Sequence, residues 1–166
     1  MSGRIKLADD AGSSLADNQP ALPEGYYPEV PTGLDAECGT FGLNSFALPL
    51  NICPDRFVCG ADGLSTEGRQ FATCVDAMNC AMLGGMTTNV AANDVRALFM
   101  HQMIPHHENA VNMCKALVKG GGVECDDLTN EDDEDCVLRS LCYEIINNKN
   151  FQIQTMLGLL EGNENY

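Results

Sequence analysis

Between Phe99 and Val118 the chain carries an apolar stripe that only a helix can gather. At about 100° per residue, Phe99, Met100, Met103, Ile104, His107, Ala110, Val111, Cys114, Leu117 and Val118 fall on one continuous face. That face predicts a core helix with His107 pointing inward. His106, Gln102 and Met113 line up at its edge, Met113 being two turns beyond His106. His101 falls on the opposite face with Glu108, Asn112, Lys115 and Lys119, which reads as a solvated side. Pro105 removes a backbone donor inside the helix and crowds the preceding turn, so a kink that splays His106 and His107 is expected.

Capping chemistry sets the boundaries. Asn93 reads as an N-cap with Asp94 in the first turn, and Gly120, Gly121 and Gly122 stop the helix, giving a span of about 93–119. An earlier helix of about 66–84 opens at Thr66 and meets Gly84 and Gly85. Its Met78, Met82 and Met86 recur every fourth position, as flexible core filler does. A third helix of about 131–160 carries Leu138, Cys142, Ile145, Ile146, Ile153, Met156 and Leu160 on one face, interrupted by Lys149 and Gln152. Thr129 with Asp132 matches a capping box, which turns the acidic run before this helix into a structural feature. The run lacks the alternating ligands and central glycine of a calcium loop.

Consecutive helices joined by a short loop lie antiparallel. If Cys114 faces Cys142, facing residues have numbers that sum to about 256. This register sets His107 opposite Lys149, Met103 opposite Gln152 and Ile153, and Met100 opposite Met156, with Cys125 near Cys136. Two disulfides, Cys114 to Cys142 and Cys125 to Cys136, are expected. The pairing of Cys38, Cys53, Cys59, Cys74 and Cys80 stays open.

Composition narrows the class. Nine cysteines in 166 residues, none in CxxC pairs, read as disulfides of a secreted, cell-surface or periplasm-like compartment, with one thiol left over. A net charge of -15 excludes nucleic acid as a partner. No apolar run reaches membrane-spanning length, and MSGRIKLADD has no apolar core of a signal peptide. Residues 1–35, with Pro20, Pro23, Pro28 and Pro31 and the Tyr26 and Tyr27 pair, read as an extended arm. Residues 36–166 read as a disulfide-stabilised helical bundle, irregular at its N-terminal side.

The segments MIPHHENAVNM and IINNKNFQIQTMLGLL, within about residues 93–160, resemble the bacterial "domain of unknown function 305" family, which includes a copper-binding member. The resemblance implies an all-α, ferritin-like helical bundle, exported, that binds copper through His and Met. Imidazole and thioether suit Cu(I), and the candidate ligands are His106, His107, Met103 and Met113, with Met100 and Met156 as a further methionine pair. Where the family pattern has Gln and Glu, this chain has Lys149 and Gln152, which put a positive charge opposite His107 and remove a carboxylate. The competing expectation is a structural or interaction module, a homo-oligomer or a subunit of a larger extracellular assembly. Neither reading is enzymatic: HExxH, GxSxG, a P-loop and Glu-x-x-His are all missing.

Overall fold

Among the described residues four helices make an all-α fold in which α3 is the central element. A computed structural model describes residues 33–40, 43, 53, 56–87 and 94–162. In chain order they are α1 (Gly33–Cys38), a single 3-10 turn at Ala61–Gly63, α2 (Thr66–Thr87), α3 (Val95–Lys119) and α4 (Glu134–Glu161). No strand occurs among the described residues. The Tyr26 and Tyr27 arm and Asn93 lie outside them.

Each helix start uses a neighbour of the expected cap. Ser65, not Thr66, opens α2, its hydroxyl accepting from the Gly68 N–H at 3.1 Å. Asp94 caps α3, accepting from the Arg96 N–H at 2.7 Å and holding its guanidinium, and these bonds pull the carboxyl down to about 2. The expected capping box at Thr129 and Asp132 does not form. Thr129 turns back onto the Asp127 carboxylate at 2.7 Å, and Asp133 takes the capping role from the Asp135 N–H at 2.9 Å. Asp and Asn side chains that close local turns compete in this way with a downstream helix start.

The ends differ in the same manner. Gly120 closes α3 as expected, with Gly121 at φ 68° and the Gly122 N–H returning to the Leu117 carbonyl. Gly84 and Gly85, by contrast, do not stop α2, which runs on to Thr87. Gly84 is buried there, and the packing of its turn outweighs the ~1 kcal/mol that a helical glycine costs.

Both α2 and α4 pack antiparallel along α3, while α1 touches α2 and α3. On the α2 side, Cys74, Val75 and Met78 bury against Cys38, Leu43 and Ala116, with Phe71 and Met113 at the margin. On the α4 side, the core is Ile104, Val111, Ile153 and Leu157, flanked by Ile146, Met156 and Leu160. Disulfides Cys38–Cys74 and Cys53–Cys80 fasten α1 and the segment at Cys53 to α2, and Cys125–Cys136 closes the loop between α3 and α4. The Asp76 carboxylate adds a further tie by accepting from the Phe57 and Val58 N–H groups at 2.7 and 2.9 Å. Buried Asp35 in α1 accepts from the Thr40 hydroxyl and the Leu43 N–H.

Two expectations about α3 are corrected. Phe99, placed on the core stripe, is 58% exposed, although its neighbour Met100 is buried. The face read as solvated is instead largely covered. Asn112 is buried, Glu108 is half-buried with Oε1 sealed from water, and Lys119 donates to the Ala36 carbonyl of α1. α3 passes through Pro105 as one helix, with the proline buried. No helix among the described residues is long and apolar enough to cross a membrane, and the three disulfides fit an oxidising compartment.

Candidate functional site

His107 lies buried on the α4-facing side of α3. Its Nδ1 sits 2.8 Å from the Met103 carbonyl, which can only accept, so the ring proton belongs on Nδ1 and the Nε2 lone pair faces α4. There Lys149 Nζ approaches Nε2 at 3.4 Å and donates to Gln152 Oε1 at 3.1 Å. Burial first, and the Lys149 charge second, hold the imidazole below its ordinary pKa, while the Met103 carbonyl and Gln152 partly oppose them. The result is a neutral imidazole whose basic nitrogen already holds a cation, the chain's own ammonium.

The register expected between α3 and α4 is therefore present at His107 and Lys149. The candidate metal ligands are spread over more than one layer of the fold. His106 is exposed, with its ring centroid 6.0 Å from that of His107 and tilted by 59°. Met113 packs into the α2-side core, and Met156 belongs to the α4-side core, so these two thioethers lie in different layers. Met100 is buried, and Met103 engages His107 through its backbone carbonyl. Among the described residues no three His, Cys, Asp or Glu side chains converge as a metal-binding group.

The α2-facing side of α3 holds polar residues that the apolar stripe did not reveal. Asn109 Nδ2 donates to Asn79 Oδ1 at 3.0 Å and to Met82 Sδ at 3.3 Å, while Gln102 donates to the Met86 carbonyl at 2.7 Å. The signal was available: Gln102, Asn109, Met113 and Ala116 recur at helical spacing and form a second stripe. On the covered face, burial pushes the Glu108 carboxyl up to about 8 and lowers the Lys115 ammonium.

Cys114 and Cys142 meet across α3 and α4, as the register requires, but as a pair of thiols rather than the expected bond. Both are buried, and burial together with the neighbouring thiol pushes Cys114 up to about 12. They form the floor of an apolar groove of about 390 Å³ that opens between α2 and α4. Leu64, Phe71 and Val75 line one wall, Leu138, Leu141 and Ile145 the other, and Met113 and Leu117 lie between them. Leu141 also borders a shelf of about 610 Å³ that carries Glu131 and Glu144. Cys125 and Cys136, the other expected pair, are joined. The earlier cysteines resolve into Cys38–Cys74 and Cys53–Cys80, leaving Cys59 exposed and unbonded.

Compared with protein-family models, curated proteins and solved structures, the chain matches none.

Proposed function

We propose that the chain is a non-catalytic interaction module of a secreted or cell-surface assembly, which takes a cationic amphipathic helix of a partner protein between α2 and α4. The apolar groove is the observation that carries this reading. Leu64, Leu138 and Leu141 are exposed around it, and a helix laid over α3 would complete a four-helix arrangement. Burying that surface is favourable by ~25 cal/mol per Å² of apolar area. Charge selects the occupant. Two copies of a chain of net charge -15 repel one another, whereas Lys or Arg on the polar flank of a partner helix meets Glu131 and Glu144 on the adjoining shelf.

The test is fluorescence anisotropy with two labelled helical peptides that share a leucine face and differ in lysine or glutamate elsewhere. The lysine peptide binds, Leu141→Asp weakens it at least tenfold, and Glu131→Gln with Glu144→Gln reduces its salt dependence. Equal binding of both peptides, or binding untouched by Leu141→Asp, rejects the groove.

The presentation of His107 favours a second reading, in which the chain binds Cu(I) with this imidazole as anchor, as the family resemblance implies. A backbone-held Nδ1–H and an unprotonated Nε2 are what a metal ligand needs, and the Met103 side chain starts one turn away. Lys149 opposes the ion. Two unit charges about 4 Å apart repel by ~1–4 kcal/mol at surface-like dielectrics, a cost that weakens binding without forbidding it, since a half-exposed lysine can swing out. Chelator-competed Cu(I) titration of wild type, the His106→Ala His107→Ala double variant and Lys149→Met decides the matter. Tight binding lost in the double variant and strengthened in Lys149→Met supports copper handling, and equal weak binding by all three rejects it.

A further inference from the structure

We infer that Cys114 and Cys142 are the site of a fourth disulfide, closed by exchange with a disulfide oxidant of the glutathione class only when α4 transiently lifts from α3. Three observations carry it. The two cysteines occupy facing positions on α3 and α4 in the same register that brings Lys149 to His107, so closure needs no shift of either helix along its axis. Both line the floor of one groove, where the other six bonded cysteines of the chain do not reach. And α4, a helix of 28 residues, fully buries only Cys136, Cys142, Ile153 and Leu157, so few sealed side chains resist its lifting and a cross-link in its seam has much to add.

The gate follows from the chemistry of exchange. A thiolate attacks, and the docked pair is only 6% and 3% exposed, so the bulky oxidant cannot line up with either sulfur in the closed interface, and burial raises the Cys114 thiol as well. When α4 lifts, one thiolate attacks the oxidant's S–S bond, forming a mixed disulfide and expelling one glutathione thiolate. The second cysteine then attacks the mixed disulfide and expels the other. The protein loses two electrons and two protons, and oxidised glutathione becomes two molecules of glutathione. Redocking afterwards seals the bond from reduction, because any returning thiolate must again wait for α4 to open.

Cys59 supplies the internal count. It is exposed and unbonded, so closure takes the chain from three free thiols to one. Reduced, unfolded protein is refolded in a glutathione redox buffer, trapped at intervals with N-ethylmaleimide in denaturant, and read by intact mass and unreduced peptide mapping. A species with the three observed disulfides and three maleimide groups comes first, followed by one with a single maleimide on Cys59 and a cross-linked Cys114–Cys142 peptide. Leu157→Ala, which loosens α4, shortens the second step, and Cys114→Ser stops with two trapped thiols. An end product that keeps three maleimides, or carries glutathione on Cys114 or Cys142, overturns the fourth disulfide. A Cys114–Cys142 bond that forms no later than the other three, or at a rate unaffected by Leu157→Ala, overturns the gate.

Discussion

The two sides of α3 are held by different means. Toward α2 the chain combines an apolar core around Met78 with two disulfides and the Asp76 ties, so sequence-distant segments are fastened covalently as well as packed. Toward α4 the core is thinner, the seam contains the His107, Lys149 and Gln152 bonds, and the cysteine pair within the helices is unjoined. A helix with Phe151 at 74% exposure and Leu141 and Leu159 in water is attached along a narrow strip. Stability is therefore expected to be unequal, with α4 the first element to open.

The largest break in this comparison comes from the pinned side. Cys38→Ala with Cys74→Ala removes a link that spans 36 residues, and the chain-entropy relation assigns it about 4 kcal/mol. Urea denaturation of the double variant should show a loss of that size, cooperative across the whole fold. Leu157→Ala acts on the other side, where deletion of a buried leucine costs about 3 kcal/mol. Here hydrogen exchange should rise along α4 while the amides around Met78 in α2 stay protected. Equal loss of protection in both helices would erase the distinction between the two sides.

Glu108 tests the covered face of α3. Its carboxyl is raised from 4.5 to about 8 in the folded chain, so the folded state holds a proton that the unfolded chain releases. The associated stability is complete below about pH 4.5 and is lost as pH rises through 8. Glu108→Gln should therefore stabilise the protein by on the order of 2 kcal/mol above pH 8, measured by thermal melts across pH, with the difference vanishing in acid. A constant difference at all pH values would assign the effect to packing.

Lys149→Met should have the smallest effect, below about 1 kcal/mol, as half-exposed polar contacts contribute little. Its signature is at His107, whose lowered pKa should rise once the Lys149 charge is gone, though not to the ordinary value, because burial is the larger cause. NMR titration of the imidazole reads this directly. In wild type the lowered value makes the His107 contribution complete above about pH 6.5 and diminishing as pH falls through the folded value. An unchanged His107 titration in the variant would place Lys149 outside the seam.

Helical periodicity located all three long helices, and the antiparallel register from Cys114 and Cys142 correctly put Lys149 against His107. Such features are legible because facing stripes are fixed by residue spacing. The caps shifted by one to four residues, because Ser65, Asp94 and Asp133 carry the same kind of acceptor as Thr66, Asn93 and Thr129 and lie as close to a helix start. Burial of the Glu108 face was not legible at all. It depends on what covers α3 from outside the α3 and α4 hairpin, α1 included, which local spacing does not encode. Adjacent histidines on a helix are turned apart, so His106 faces water while His107 faces α4.

The bond between Cys125 and Cys136 encloses almost the whole acidic loop, a run of exposed Asp and Glu that a protease can reach. A single cut between those two cysteines adds one water and releases nothing. α4 stays tethered beside α3 at the same high local concentration, so the nicked protein keeps its shape until a reductant reaches the tether. The loop can thus be severed while the two helices it joins remain a single object.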